Sequence, residues 1–391
     1  PLFAHADDTE IYTGNAARIN PNVIFIMDTS LSMEWVTYED KKYPSSGEES
    51  RLDLVKKAAI ETINNTDGIN ISLMRFNKEN PGSGGYVDLP MTPVSEARTT
   101  FASVLNGYKG NGGTPISETL DESLRYLRGD TIDYGYKEGY QYEDWEWKCN
   151  RRRCYWEEVT KTVDPVHYSH SGSRNGNQYK SPIIDQCQKN HIVLFSDGAA
   201  STDDQSNDYI QDLLKTVPIE NRINGLSTSC TGDGGCAEEI AFYGNQEDLS
   251  DDFDGIQNVT FHTIGGFIQG DAQTKLENIA KYGSWAAAGK PVNPLTQEGK
   301  GIYRNVQNYE ELQTTLQNIF DSISKSAGTF TAPAVSVNAF NSLEHLDELY
   351  YSVFKPTDSA GWSGNLKRYR LTSDGTIEDA KEQPAVDPAT G

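Results

Sequence analysis

Asp28, Ser30 and Ser32 stand at two-residue steps in the segment PNVIFIMDTSLSM, Pro21 to Met33, and Thr114 and Asp197 occupy two later loops. Alternation along a loop lets the Asp28 carboxylate and the two hydroxyls turn toward one point. All are hard oxygen donors, suited to Mg²⁺, Mn²⁺ or Ca²⁺. Thr114 lies in Gly110-Asn111-Gly112-Gly113-Thr114-Pro115, ahead of a helix, where helix N-terminal amides can meet an anion. Asp197 ends the apolar run His191 to Ser196, so its carboxylate can lie beside that of Asp28 if the two strands are neighbours. These five residues make an octahedral half-shell with at most two carboxylates. A dication held there stays under-neutralised and keeps an open position for a partner's carboxylate. Metal-dependent adhesion is the chemistry this donor set implies.

The elements around these residues must place them together. Val23 to Met27 reads as a buried parallel strand, and open α/β sheets place ligands beyond the carboxyl ends of their strands. Helical spacing runs over Arg51 to Asn64, Ala97 to Leu105, Pro115 to about Leu127, Asp208 to Thr216, Ala237 to Tyr243, Thr274 to Lys281 and Tyr309 to Ser324. Strand patterns cover Ile69 to Phe76, Tyr86 to Leu89, His191 to Ser196 and Val259 to Ile264. This alternation predicts an α/β fold with a doubly wound, mostly parallel sheet over residues 21–326, after an N-terminal arm, 1–20.

Between Gly129 and Pro182 neither period persists, while Tyr134, Tyr136, Tyr140, Tyr142, Trp145, Trp147, Tyr155 and Trp156 crowd together. An insertion without helix or strand periodicity, about 129–185, is expected there, as a binding lid or a disulfide-pinned cap. After Ser326-Ala327-Gly328 the texture turns all-β, with strand patterns at Phe330–Phe340, Leu349–Phe354 and Asn365–Leu371 before a Ser373-Asp374-Gly375 turn. Residues 327–391 are too few to hold a core alone and read as the truncated beginning of a larger β-domain.

The 391-residue chain carries 34 basic and 57 acidic residues, a net charge of −23. Such a surface repels phosphate backbones and anionic membranes, so nucleic acid is not an expected partner. No apolar stretch approaches the roughly 20 residues of a membrane helix. Cys149 and Cys154 bracket one short loop, Cys230 and Cys236 another, and Cys187 is the odd one. Each pair can close a small loop, or Cys187 can replace one partner of the first; an oxidising, extracytoplasmic compartment is expected. The pairs Asp203-Asp204 and Asp251-Asp252, with Asp254, lack calcium-loop spacing and read as solvated acidic loops. The scattered histidines show no metal spacing.

MDTSLSM, GGTP and FSDG, in that order on an α/β chain, resemble the metal-ion-dependent adhesion site of von Willebrand factor A domains. The resemblance implies direct ligation by Asp28, Ser30, Ser32 and Thr114, with Asp197 often acting through water. The stretches NGGTPISETLDESLRYLRG, SPIIDQCQKNHIVLFSDG and APAVSVNAFNSLEHLDELYYSVFKPTDSAGWSGNLKRYRL further resemble the PilC/PilY family of type IV pilus tip adhesins. In that family an A-like domain precedes a C-terminal β-propeller. This second resemblance implies an extracellular position at the pilus tip, minor pilins as partners, a host or abiotic surface ligand with an acidic group, and support of pilus biogenesis and twitching motility. Mg²⁺ is the first expectation for the ion, then Mn²⁺ or Ca²⁺. An aspartyl-nucleophile enzyme would want a second acid where Ser30 stands, and no Gly-x-Ser-x-Gly, HExxH or P-loop sequence is present, so an enzyme is not expected. The alternative reading is a structural or mechanosensing pilus cap whose metal only stabilises the domain.

Overall fold

The computed structural model describes residues 19–326 except 38, 40, 77–83, 150–152, 217–228, 269 and 285–300, together with 330–334, 348–355, 363–372 and 377–379. Most of the expected arm 1–20, the Ala327-Gly328 break, the second half of the Phe330–Phe340 strand and the Ser373-Asp374-Gly375 turn lie outside the described residues. The chain divides into two compact units, Pro1–Ser324 and Lys325–Gly391.

The first unit begins with β1 (Asn22–Met27), α1 (Arg51–Asn64), β2 (Asn70–Phe76), β3 (Gly85–Pro93), α2 (Val94–Asn106) and α3 (Ile116–Arg128). The insertion comes next with β4 (Tyr136–Lys137), β5 (Tyr140–Cys149), β6 (Cys154–Val163), β7 (Val166–His167), β8 (Arg174–Asn175) and β9 (Gln178–Tyr179). After it come β10 (Asn190–Ser196), α4 (Asn207–Thr216), α5 (Ala237–Gln246), β11 (Val259–Gly266), α6 (Asp271–Tyr282), β12 (Tyr303–Val306) and α7 (Tyr309–Ser326). One six-stranded sheet runs in the order β12-β11-β10-β1-β2-β3. All neighbours are parallel except β3, which runs antiparallel to β2. The fold class is therefore the doubly wound α/β arrangement that the alternation of elements implied.

Strand β1 is buried along its whole length because both of its faces are covered. Val23, Phe25 and Met27 join the core under α1, α2 and α7. Ile24 and Ile26 point the other way, into the core under α3, α5 and α6. The chain leaves β1 toward β2 on one side, and β10 lies on the other. The carboxyl end of β1 is thus a topological switch point, the place where such sheets open a crevice. Helix α1 starts with a capping box in which Ser50 Oγ accepts from Asp53 N at 3.1 Å and Asp53 Oδ2 accepts from Ser50 N at 3.1 Å. That cap fixes Arg51 at the first helical position.

Two elements depart from the sequence expectation. The insertion is not aperiodic: β5 and β6 form a hairpin with ten-residue arms. No residue of either arm is buried, so neither face had to be apolar and no two-residue hydropathy period was imposed. The edge strand β12, with four residues, is too short to leave a pattern. Bonds join Cys149 to Cys154 and Cys230 to Cys236, and Cys187 is an exposed thiol. Among the described residues, no helix is long and apolar enough to cross a membrane.

The second unit carries β13 (Phe330–Ala334), β14 (Glu348–Lys355), β15 (Ser363–Leu371) and β16 (Ile377–Glu378) in one antiparallel sheet of that order. It is all-β, as the change of texture implied.

Candidate metal and ligand site

Asp28 follows β1 directly and is fully buried. Its Oδ1 accepts from Ser30 N at 2.7 Å, a tight turn that lays the next residues across the sheet end. A short 3₁₀ turn, Leu31–Glu34, then carries Ser32 back over the loop. Ser30 precedes this turn without bonding its amides, and its hydroxyl lies instead 3.0 Å from Ser32 Oγ. Ser32 Oγ donates to Asp197 Oδ1 at 2.7 Å. Asp197 is set beside Asp28 by the register of β1 against β10, which ends with Asp28 N donating to Phe195 O at 3.0 Å. Four of the five expected residues thus form one connected group, 169 residues apart in sequence at its widest hydrogen bond, from Asp197 N to Asp28 Oδ2.

The Thr114 loop is tied to the Asp28 loop and to the chain after Asp197 by backbone hydrogen bonds. Asn111 N donates to Thr29 O at 2.8 Å, and Leu31 N donates to Gly112 O at 3.2 Å, so the glycine-rich turn lies on the Asp28 loop. Thr114 also exchanges backbone hydrogen bonds with Ser201, at 3.2 and 3.1 Å, on the chain that continues from Asp197. A Cβ at Gly113 would sit 3.0 Å from Ser201 O and closer still to Thr202 Oγ1, so this crossing demands glycine.

Helix α3, just beyond Thr114, does not offer its amides to a ligand. Asp203 accepts from Ser117 N at 2.7 Å, Glu118 N at 3.0 Å and Ser117 Oγ at 2.8 Å, and so caps α3. Asp203 is fully buried, which corrects its reading as part of a solvated loop; the anion at this helix end is the protein's own. Asp251, Asp252 and Asp254 are exposed, as expected.

Three contributors lie outside the five residues expected from sequence. Ser196 Oγ donates to Asp28 Oδ2 at 2.6 Å. Thr29 Oγ1 donates to Phe76 O at 3.3 Å and ties the loop to β2. The buried Arg51 guanidinium donates to Asp197 Oδ2 at 2.8 Å, and it lies 5.7 Å from the Trp35 ring and 5.9 Å from that of Phe267. Ser196 adjoins Asp197 in the FSDG motif, a signal that was available. Nothing in the sequence joins Arg51 to a residue 146 positions away.

Burial pushes the Asp28 carboxyl up to about 7 from 3.8, and the charge of Asp197 adds to the rise; hydrogen bonds from Ser196 and Ser30 oppose it. Arg51 compensates only part of this negative charge. A buried acid held against its ordinary ionisation, with hydroxyls and a second acid in one hydrogen-bonded group, fits an oxygen-coordinated dication. No group of three or more His, Cys, Asp or Glu side chains with metal-binding placement occurs among the described residues, so any ion here would depend on hydroxyls. A cleft of about 710 Å³ opens beside Arg51 and Asp197, with Thr37, Phe267, Asp271 and Gln307 on its walls. Phe267 holds a left-handed backbone, φ 64°, a local strain at the rim of this cleft. His191 and His262, 3.2 Å apart in the core, are lowered by burial and contribute nothing to the site.

No family model matches the chain, and no curated protein matches it. Solved structures similar to it include the PilB minor pilin from Streptococcus sanguinis, at 14% identity and TM-score 0.44, covering 79% of this chain and 62% of that one. The chain therefore spans about 62% of the length of that pilin. Another is the von Willebrand factor type A protein from Catenulispora acidiphila, at 12% identity and TM-score 0.40, covering 90% and 66%. A third is the vWF domain of the type V pili tip protein Mfa5 from Porphyromonas gingivalis, at 12% identity and TM-score 0.39, covering 79% and 97%. At these scores the likenesses carry no argument, and the fold assignment rests on the strand order and register given above.

Proposed function

We propose that this chain is an adhesion module of a bacterial pilus, and that it binds an acidic group of its target through a divalent ion held by Asp28, Ser30, Ser32, Thr114 and Asp197. The observation that carries the proposal is the hydrogen-bonded run Ser30–Ser32–Asp197 beside the buried Asp28, at the switch point of the sheet. The bound ion would supply one open coordination position. Asp28 and Asp197 supply the charge that retains an ion, the hydroxyls fill positions without neutralising it, and Arg51 orients Asp197. Mg²⁺ suits this hydroxyl-rich oxygen set first, with Mn²⁺ and Ca²⁺ next. The resemblance to PilC/PilY tip adhesins supports the finer reading: a place at the type IV pilus tip outside the cell, minor pilins as neighbours, and a role in pilus biogenesis and twitching motility.

The experiment is calorimetric titration of Mg²⁺, Mn²⁺ and Ca²⁺ into chelator-treated protein, with Asp28→Ala as control, then adhesion to a carboxylate-coated surface. Heat of binding in the wild type and none in the variant is expected, together with loss of adhesion. Ion binding without ion-dependent adhesion would favour the structural cap instead. No binding by the wild type would end the metal reading.

A further inference from the structure

Six of the eleven exposed large hydrophobic side chains among the described residues sit on one hairpin: Tyr140, Tyr142, Trp145, Trp147, Tyr155 and Trp156. Among the described residues β5 and β6 pair only with each other, and their register sorts the side chains onto two unlike faces. On one, Lys148 pairs with Glu157 at 2.7 Å, and Lys161 with Asp144 at 2.6 Å and Glu146 at 3.4 Å. That face satisfies its own charges and is half-buried over much of its length. On the other face every position is exposed. Trp147 lies there opposite Trp156, with ring centroids 5.2 Å apart, and Trp145 lies opposite Glu158. These three indoles are 55 to 59% exposed.

The indole face selects its occupant by charge and by size. It carries no Lys or Arg, and its charged side chains are Glu143 and Glu158. Five acidic and five basic residues cancel between Tyr140 and Val163, in a chain whose net charge is −23. An anionic ligand finds no cation on this face, and two carboxylates beside the indoles oppose entry into a lipid phase. Two ten-residue strands offer a face of about 33 Å by 10 Å. That area, roughly 300 Å², falls well short of the ~800 Å² that each partner gives to a stable protein interface. An open ribbon has no hollow in which a small molecule is enclosed. What fits is long, narrow and uncharged.

We infer that this face, through Trp145, Trp147, Trp156 and Glu158, binds a neutral glycan chain of the extended β-1,4-linked type. A pyranose ring with equatorial hydroxyls has two apolar C–H faces, which stack on indole planes, and a rim of hydroxyls, which need acceptors. Glu158 lies across from Trp145 and two residues from Trp156, so a carboxylate stands beside both rings. Carboxylate acceptors make the stronger hydrogen bonds to such hydroxyls. Glu143, two residues from Trp145, accepts from Thr160 Oγ1 at 2.8 Å and is held on the same face. Trp145 and Trp147 follow each other along β5 at a repeat of about 6.7 Å, so the stacking surface runs along the strand. A β-1,4-linked chain is a flat, straight ribbon that lies along such a surface, whereas an α-1,4-linked chain curls away from it. The contact does not involve the Asp28 site.

The full chain, in chelator, is titrated with cellohexaose, chitohexaose and maltohexaose while heat and tryptophan emission are recorded. Saturable binding of a β-1,4 oligomer is expected, with a change of emission and no weakening by salt. The stronger of the two β-1,4 oligomers tells a glucose polymer from an N-acetylglucosamine polymer. Trp147→Ala/Trp156→Ala should weaken binding at least tenfold and Glu158→Ala about fivefold. Tyr142→Ala, on the opposite face, should leave it unchanged, and all three variants should keep the wild-type circular dichroism. Absence of binding by the wild type would overturn the proposal, as would equal binding by the tryptophan variant or equal binding of maltohexaose. A blue shift on phosphatidylcholine vesicles that the oligomers do not compete away would assign the face to lipid and overturn it too. Dimerisation through the same tryptophans, seen by sedimentation, would assign it to a second copy with the same result. Running the assay in chelator keeps its failure distinct from failure of the metal reading.

Discussion

At the carboxyl end of β1, six polar side chains, Asp28, Thr29, Ser30, Arg51, Ser196 and Asp197, are hidden from water, whereas on β5 and β6 six aromatic rings stand in it. Both arrangements invert the ordinary partition of side chains. The first is held by a scaffold: two parallel strands and a capped helix deliver its members from three parts of the chain. The second is held by its own ladder, a cross-strand indole pair and one disulfide. Disturbing the first should therefore be felt by the whole α/β unit, and disturbing the second only by the hairpin.

The largest effect is expected for Arg51→Gln. Removing one partner of a buried ion pair typically costs about 3–5 kcal/mol, and here it leaves Asp197 beside Asp28 without that compensation. Urea unfolding in chelator should register this loss, and saturating Mg²⁺ should return part of it. An unchanged midpoint would mean that Arg51 does not hold the site together.

Acidity should separate the two regions next. The Asp28 carboxyl sits at about 7 when folded, against 3.8, so the folded state holds its proton more tightly. The resulting stabilisation is fully present below pH 3.8 and is lost as pH rises through about 7. Burial lifts Glu118, Glu122 and Asp203 to about 7 as well, with the same sign. In chelator the protein should thus lose stability as pH rises from about 4 to about 7, by an amount on the order of several kcal/mol. Asp28→Asn should flatten only its own share of that profile. A slope untouched by this variant would remove Asp28 from the explanation.

On the hairpin the effects are smaller and local. Replacing Cys149 and Cys154 by Ser opens a very short loop, worth about 2 kcal/mol by chain entropy. Splitting the indole pair with Trp147→Ala should cost about 0.5–1 kcal/mol. Amide exchange should quicken along Tyr140–Val163 in both variants, with the global unfolding midpoint unmoved; a shifted midpoint would contradict the independence of the two regions.

The same contrast decides what the sequence could disclose. Strands β1 and β10 and helices α1 and α3 were legible because two covered faces or one covered stripe forces an apolar pattern. The meeting of Asp28, Ser30, Ser32 and Asp197 at one sheet end was legible because loop spacing and strand ends announce it. Arg51 was not, since a partner 146 residues away leaves no local trace. The hairpin was not, because a ribbon exposed on both faces has no inside to set a period. Asp203 was misread because an acid capping a distant helix has the same local sequence as an acid in water.

One consequence lies in the position of β1 between its neighbours. Asn22 pairs with Asn70, 48 residues on, and with Asn190, 168 residues on. Closing the longer loop costs only about 1 kcal/mol more than closing the shorter, because the penalty grows with the logarithm of length. The exposed β5–β6 hairpin within the segment between α3 and β10 can therefore be lengthened, shortened or exchanged at almost no thermodynamic loss to the sheet, whereas Ile132, Tyr179 and Ile183 of that segment belong to its core. What the chain presents at the end of that detour is free to vary while the Asp28 crevice stays as it is.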